Sequence, residues 1–318
     1  MADPIVIAHR GASGYLPEHT LEAKALAYGL GSDFLEQDVI ATRDAELVVL
    51  HDVYLDDVTN VGERYPARRR SDGRFYVIDF DLAELRELDV CERRRHGTGE
   101  SVYPERFPQG MQGLRIATLD EELELVRGLN RSTGRRVGIY PEIKDPAWHS
   151  RHGIDLTLLL LRKLDDHGYR TADDPVFVQC FDPAELHRAR TALRCRLPLV
   201  QLVDRDRAGA ELLTAEGLRR TAEFAQGLGP HYSQLVVPNA ATGAHAPIDA
   251  SPIVGNAHAA GLKLHPYTFR RDDLPAYAPT LEHLLEWFFE HIGVDGVFCD
   301  HPDVAVRTRA RVRGARLS

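Results

Sequence analysis

The sequence predicts an α/β fold, a (β/α)8 TIM barrel with a small inserted subdomain. Eight short apolar runs recur along its 318 residues. Amphipathic stretches long enough to form crossover helices lie between most of these runs, and this alternation is typical of parallel α/β architecture. Because a chain of this length with 43% hydrophobic residues can bury one large core, we expect a single barrel domain over residues 1–318.

The predicted strands are short apolar runs bounded by polar or turn-forming residues. In chain order they cover residues 5–9, 34–39, 137–143, 176–181, 198–203, 234–238, 262–267 and 296–300. The predicted crossover helices have apolar side chains at helical spacing. They cover residues 21–30, 155–167, 183–193, 215–226 and 280–291.

One further apolar run, at residues 47–51, interrupts the alternation. Only residues 42–46 separate it from the second strand, whereas a parallel crossover needs about a dozen residues or more. The run is therefore predicted to return antiparallel as a hairpin. That geometry brings His51 beside the segment that carries Glu36 and Asp38.

Residues 53–116, called here the inserted segment, differ in composition from the rest of the chain, since Arg, Asp, Gly and Pro are frequent in them. We predict that they form a subdomain inserted into the barrel. One short helix is expected at residues 82–88, with loops around it.

Charge and cysteine content restrict the class of protein. A formal net charge of −9 argues against binding to a nucleic-acid backbone, which needs a positive face. No apolar run approaches the length of a membrane span. The first residues show no export signal, so we expect a cytoplasmic protein, or a periplasmic one if an export signal has been removed. The four cysteines lack zinc-like spacing and are predicted to be buried free thiols.

Polar and aromatic side chains stand at the carboxyl ends of several predicted strands, where barrel enzymes carry their chemistry. They are His9 and Arg10 from the first strand, Glu36 and Asp38 from the second, His51 from the hairpin, Glu142 and Lys144 from the third, Gln179 and Phe181 from the fourth, and Tyr267 from the seventh.

Three of these residues are carboxylates that are expected to converge. Side chains alternate along a strand, so Glu36 and Asp38 share a face, and Glu142 lies on the adjacent predicted strand. Clustered anions repel one another, which favours a bound cation or a shared proton. Oxygen ligands without cysteine or a clear histidine ligand favour a divalent cation such as Ca²⁺ or Mg²⁺ over zinc.

His9 and His51 both end strongly apolar runs near the predicted metal site. A neutral and a protonated imidazole can act as base and acid on opposite sides of one phosphate. Arg10 and Lys144 are placed to contact such an anion, although either one can instead pair with Glu18 or with an acid of the metal site.

These motifs resemble one known family. The segments IAHRGASGYLPEHTLEA and LEQDVIATRDAELVVLHD are similar to the glycerophosphodiester phosphodiesterase signature, in which HRG, ExD and HD occur in this order. The similarity continues through IYPEIK, QCF, HPYT and GVFCDHPD, over roughly the whole chain. It is greatest to the subgroup typified by the periplasmic bacterial enzyme, which also has an insertion after HD.

The resemblance implies a TIM barrel that hydrolyses glycerophosphodiesters, such as glycerophosphocholine, to sn-glycerol 3-phosphate and an alcohol. It implies one divalent cation, Ca²⁺ preferred and Mg²⁺ possible, held by Glu36, Asp38 and Glu142. It also implies that His9 and His51 are the catalytic pair. The substrate-binding residues it indicates are Arg10 and Lys144 for the phosphate and Phe181 and Tyr267 around the glycerol, with Gln179 beside them on the rim.

Two alternatives stay open. The same scaffold can act on lipid-sized diesters, as a lysophospholipase D does, or it can be a non-catalytic binding module that keeps only the fold. We expect a small-molecule substrate and no nucleic-acid partner. The inserted segment is expected either to cover the site or to form a homodimer contact.

Overall fold

The computed structural model describes residues 3–111, 113–237 and 248–317. Their strands are β1 Ile5–Ala8, β2 Phe34–Ala41, β3 Leu47–Val49, β4 Gly138–Ile143, β5 Val178–Cys180, β6 Leu199–Val203, β7 Gly227–Pro230, β8 Val236–Val237, β9 Asp249–Ala250, β10 Lys263–Leu264 and β11 Gly296–Cys299. Their α-helices are α1 Leu21–Gly29, α2 Val61–Arg64, α3 Leu82–Leu85, α4 Leu119–Thr133, α5 Pro146–Arg151, α6 Leu156–Asp166, α7 Pro183–Thr191, α8 Arg207–Leu212, α9 Ala215–Ala222, α10 Pro252–Ala259, α11 Leu281–Trp287 and α12 Pro302–Leu317.

Eight of these described strands are parallel and form a barrel in the order β10-β7-β6-β5-β4-β2-β1-β11. The barrel closes between the two ends of that order. The amide of Phe269 donates to the carbonyl of Phe298 at 2.8 Å, and the amide of Phe298 donates to the carbonyl of Pro266 at 3.0 Å. The predicted (β/α)8 barrel is confirmed.

The hairpin prediction is also confirmed. Strand β3 pairs antiparallel with β2, with Val49 opposite Val39 and Leu47 opposite Ala41. Beyond the hairpin, the amide of Leu50 donates to the carbonyl of Asp38 at 2.9 Å. The chain therefore returns to the level of Asp38 just before His51.

The prediction that residues 234–238 form the sixth barrel strand is wrong. The barrel strand at this point is Gly227–Pro230. Gln234 lies in the 3-10 helix Tyr232–Leu235, β8 pairs with β9 away from the barrel, and Pro238 is outside the described residues.

The sequence of β7, Gly-Leu-Gly-Pro, has the composition of a turn, and close packing explains its glycines. A Cβ on Gly227 would lie 3.1 Å from Val200 Cγ2, and one on Gly229 would lie 2.7 Å from Leu202 Cδ2. Neighbouring side chains of β6 fill the space that a larger residue would need. The preceding helix is correspondingly shorter than predicted, because it ends at Ala222.

Helix α4 was not predicted, although its ends carry clear signals. Thr118 accepts a hydrogen bond from the Glu121 amide while the Glu121 side chain accepts one from the Thr118 amide. This capping box satisfies donors that a helix start leaves unpaired. Gly134, with φ of 73°, ends the helix in the left-handed conformation that glycine adopts without a Cβ clash.

The inserted segment has its own hydrophobic cluster, which packs against the β2–β3 hairpin through Ile40 and Val48. Its helix α3 lies at the predicted position but covers only Leu82–Leu85. All four cysteines are free and buried, as predicted. None of the described helices is long and apolar enough to cross a membrane.

Candidate active site

The ten predicted site residues line one cavity at the carboxyl ends of the barrel strands. Position in the fold explains this convergence, since parallel strands present their carboxyl ends at the same rim. The ten are His9, Arg10, Glu36, Asp38, His51, Glu142, Lys144, Gln179, Phe181 and Tyr267.

Glu36, Asp38 and Glu142 form a buried cluster, as predicted. Asp38 lies directly opposite Glu142 in the β2–β4 pairing. One ligand oxygen from each residue lies within 4.8 Å of the others. Two buried oxygens of cavity-lining residues, Asp38 Oδ1 and Gln179 Oε1, have no hydrogen-bond donor in the described part of the chain. Oxygens gathered in this way suit a hard divalent cation.

The pKa shifts of the three carboxyl groups also indicate a site that can bind a cation. Burial, together with the charge of Asp38, raises the pKa of Glu142 well above its usual range, although Lys144 opposes this shift. Burial and Asp38 likewise raise the pKa of Glu36, against His9 and Arg10. Burial would also raise the pKa of Asp38, but Lys144 and a hydrogen bond with His19 hold it well below its usual range. The cationic side chains therefore do not neutralise all three acids, and the cluster can accept a divalent cation.

His9 contacts Asp300, which was not predicted as a site residue. Its Nδ1 atom lies 2.6 Å from Asp300 Oδ1, and its Nε2 atom lies 3.8 Å from Glu36 Oε2. The ring therefore binds Asp300 through one nitrogen and faces the carboxylate cluster with the other. The motif GVFCDHPD was the only signal for Asp300, because 291 residues separate it from His9.

His51 has the same kind of partner. Its Nδ1 atom lies 2.8 Å from Asp52 Oδ1. Burial, reinforced by the charges of Arg10 and Lys144, lowers the pKa of His51 to about 4. The imidazole is thus neutral at pH 7 and able to accept a proton.

Arg10 and Lys144 are both in ion pairs, as the sequence allowed. Arg10 Nη1 donates to Glu18 Oε2 at 2.8 Å, and Lys144 Nζ lies 2.9 Å from Glu142 Oε1. Both still line the cavity. Arg10 Nε is buried, has no hydrogen-bond partner among the described residues, and lies 3.7 Å from Asp38 Oδ2.

The outer part of the cavity is aromatic on one side and charged on the other. The rings of Phe181 and Tyr267 meet edge to face with centroids 5.9 Å apart, and Phe181 is 38% exposed. Gln179 is turned inward and donates to Glu36 Oε1 at 3.0 Å. Lining residues that the sequence analysis missed are Leu202, Arg205, His231, Thr268, Arg270, Asp273 and Phe298.

Residues 9–304 match the sequence profile described as the glycerophosphoryl diester phosphodiesterase family. The chain belongs to this family. It is 40% identical to a glycerophosphodiester phosphodiesterase of Haemophilus influenzae, over 96% of this chain and 89% of that protein. It is 35% identical to one from Treponema pallidum, over 96% of this chain and 92% of that protein. We conclude that the chain is a phosphoric diester hydrolase.

Solved structures of family members share the fold. An Oleispira antarctica phosphodiesterase, in complex with the product sn-glycerol-3-phosphate, has a TM-score of 0.65 and 23% identity over 96% of both chains. A glycerophosphodiester phosphodiesterase from Agrobacterium tumefaciens has a TM-score of 0.60 and 21% identity, covering 96% of this chain and 99% of that one.

Proposed function

We propose that this enzyme hydrolyses glycerophosphodiesters, such as glycerophosphocholine and glycerophosphoethanolamine, to sn-glycerol 3-phosphate and an alcohol. The observation that carries the proposal is a single cavity lined by a buried carboxylate cluster, two histidines with aspartate partners and two cationic side chains. The product bound to the Oleispira antarctica phosphodiesterase is consistent with the same reaction.

Glu36, Asp38 and Glu142 would hold one divalent cation. Three carboxylates favour Ca²⁺, because Mg²⁺ is usually bound through only one or two and keeps several waters, but oxygen ligands also allow Mg²⁺. Such an ion supplies positive charge beside the phosphate and lowers the pKa of a hydroxyl bound to it. The protein contributes the ligands and the buried setting in which that charge acts strongly.

His9 and His51 serve as the acid and the base. One imidazole takes the proton of the attacking hydroxyl as its oxygen bonds to phosphorus. The other gives a proton to the departing alcohol as the second P–O bond breaks. If the attacking group is the glycerol 2-hydroxyl, the product is a cyclic phosphate, which water then opens to sn-glycerol 3-phosphate. The imidazoles exchange roles in this step: the one now neutral takes a proton from water, and the one now protonated gives its proton to the 2-oxygen as the ring P–O bond breaks. If water attacks, the phosphomonoester forms directly.

Arg10 and Lys144 bind the phosphate oxygens. The guanidinium can make two parallel hydrogen bonds, whereas the ammonium offers a point charge. Phe181 and Tyr267 pack against the carbon skeleton of the glycerol, and Gln179 holds Glu36 in place through the hydrogen bond already described. The alcohol leaves toward the open side of the cavity, so we expect several head groups to be accepted.

The test is release of sn-glycerol 3-phosphate from glycerophosphocholine by the purified protein. We expect product with added Ca²⁺ or Mg²⁺ and none with excess chelator. Folded protein that releases no product with any divalent cation would contradict the proposal, and lipid-sized diesters would then be the next substrates to assay.

A further inference from the structure

We propose that Arg93 and Arg106, both in the inserted segment, are positioning residues that hold the two histidines of the site through their aspartate partners. The inference rests on the proposed function, because it assumes that His9 and His51 transfer protons. It makes the inserted segment a part of the active site.

The first connection runs from Arg106 to His9. Asp300 uses Oδ1 for His9 Nδ1 at 2.6 Å and Oδ2 for Arg106 Nη2 at 2.6 Å. With both oxygens engaged, the carboxylate cannot turn without breaking a short contact. Asp300 is 2% exposed and Arg106 is 6% exposed, so water competes little for either bond.

The second connection runs from Arg93 to His51 and has the same form. Asp52 uses Oδ1 for His51 Nδ1 at 2.8 Å and Oδ2 for Arg93 Nη1 at 2.7 Å. Two histidines, one just after barrel strand β1 and the other just after hairpin strand β3, are thus supported by the same series of groups: imidazole, carboxylate and guanidinium.

This arrangement fixes which nitrogen faces the substrate. A carboxylate that accepts from Nδ1–H selects the tautomer or imidazolium orientation in which Nε2 points away from it. For His9 that nitrogen faces Glu36 of the carboxylate cluster. The guanidinium in turn fixes the carboxylate, so its loss would loosen the imidazole without removing any group that touches the substrate.

Arg93 and Arg106 differ in their other contacts. Arg106 binds Asp272 through two contacts at 2.6 and 2.8 Å and the carbonyl of Ser13 at 3.0 Å. Its guanidinium lies 3.7 Å from the ring centre of Tyr103. All of these contacts lie around His9 and Asp300, and none of them involves Arg10 or Lys144.

Arg93 is also connected, through Glu18, to Arg10, which we propose to bind the phosphate. It binds both oxygens of Glu18 at 3.0 and 2.5 Å, and Glu18 accepts from Arg10 at 2.8 Å. Loss of Arg93 therefore disturbs His51 through Asp52 and Arg10 through Glu18. We expect the two arginines to have different kinetic signatures, and this difference separates positioning from a general loss of stability.

The experiment compares Arg106→Met and Arg93→Met with a control, Arg74→Met. Arg74 also lies in the inserted segment, binds Asp57 through two contacts at 3.1 and 3.0 Å, and has a side chain that is 13% exposed, against 16% for Arg93 and 5% for Arg106. It does not line the cavity. The control therefore removes a comparable ion pair without touching either histidine connection.

We expect Arg106→Met to lower kcat about 10- to 100-fold with KM unchanged, the usual cost of losing a group that orients a functional histidine. Arg93→Met lowers kcat and also raises KM, and Arg74→Met changes neither. In a His9→Ala background, Arg106→Met should cause no further loss of kcat, since residues that act through one group are not additive. Equal kcat losses in all three single variants, or full kcat in Arg93→Met and Arg106→Met, would overturn the inference.

Proton NMR of the imidazole N–H groups, in metal-free protein without substrate, provides a readout that does not depend on turnover. Arg106→Met should shift or broaden the His9 Nδ1–H signal and leave that of His51 unchanged, and Arg93→Met should do the reverse. If the wild-type protein has no diesterase activity while these selective changes occur, the proposed reaction fails but the positioning stands. If the wild type is active and the signals do not respond selectively, the positioning fails alone.

Discussion

Leu202 of β6 and Gly229 of β7 are opposite each other in the barrel, and a Cβ on Gly229 would lie 2.7 Å from Leu202 Cδ2. Leu202 is 3% exposed, so its side chain has little room to move. Gly229→Ala is expected to lower the free energy of unfolding by about 1–3 kcal/mol through overpacking. Urea unfolding measures the change.

A matched control for that substitution lies in helix α10. A Cβ on Gly255 would meet no atom within 4 Å. Gly255→Ala should therefore raise the free energy of unfolding by about 0.5–1 kcal/mol, because alanine loses less backbone entropy in a helix. Similar changes in the two variants would show that packing against Leu202 is not the reason for glycine in β7.

Replacement of either histidine should remove most of the turnover. His9→Ala and His51→Ala are each expected to lower kcat by about 10²- to 10⁴-fold, the range for a lost general acid or base, while the melting temperature stays near that of the wild type. His187→Ala is the control, since His187 is exposed on helix α7. Near-normal kcat in His9→Ala would contradict the acid/base assignment.

Glu142→Gln tests the carboxylate cluster separately from catalysis. The amide keeps the shape of the side chain but removes a charge from a site where burial and Asp38 already disfavour it. In chelator the variant should gain melting temperature relative to the wild type as the pH rises, because ionisation of Glu142 is disfavoured in the fold and the amide does not ionise. Added Ca²⁺ should raise the melting temperature of the wild type more than that of the variant. Exposed Glu46→Gln should respond to Ca²⁺ as the wild type does.

Glu92, next to Arg93, gives a pH-dependent prediction. Burial raises the pKa of Glu92 to about 7 from its usual 4.5, against the charge of Arg106. Because the pKa of Glu92 is higher in the folded than in the unfolded protein, the folded protein binds a proton between pH 4.5 and about 7 that the unfolded protein has lost. Glu92 therefore destabilises the fold progressively as pH rises from about 4.5 to 7, and the penalty is complete above that range.

Glu92→Gln should consequently melt at a higher temperature than the wild type at pH 8 and at nearly the same temperature at pH 4.5. Thermal unfolding at both pH values checks this, with exposed Glu100→Gln as the control. An equal shift of Glu92→Gln at both pH values would mean that the effect is not due to ionisation.

The barrel and the chemical groups at its rim were predictable because both follow from local patterns. Polar residues within or at the ends of apolar strands identified His9, Glu36, Asp38 and Glu142, and a connection too short for a crossover placed His51 beside them. Such inferences need only the neighbouring residues and the geometry of a strand.

Strand β7 and the partners of the histidines were not predictable by the same means. The two glycines of β7 have the composition of a turn, and only the side chains of β6 show why they lie in a strand. Asp300 lies 194 residues from Arg106 and 291 from His9. No local pattern links residues at those separations. Pairing of β1 with β11 brings His9 beside Asp300, and the fold of the inserted segment brings Arg106 to the same carboxylate.

The β2–β3 hairpin positions two groups of the site in separate ways, the carboxylates of β2 and the imidazole of His51. The carboxylates Glu36 and Asp38, which we propose as metal ligands, take their positions from pairing with β4, within the barrel itself. His51 takes its position from how the chain turns back through residues 42–46 above the rim. A change in the length or shape of that turn is expected to displace His51, the proposed proton-transferring group, while leaving the two carboxylates in place. Such a change should alter kcat more than it alters the affinity for a metal ion.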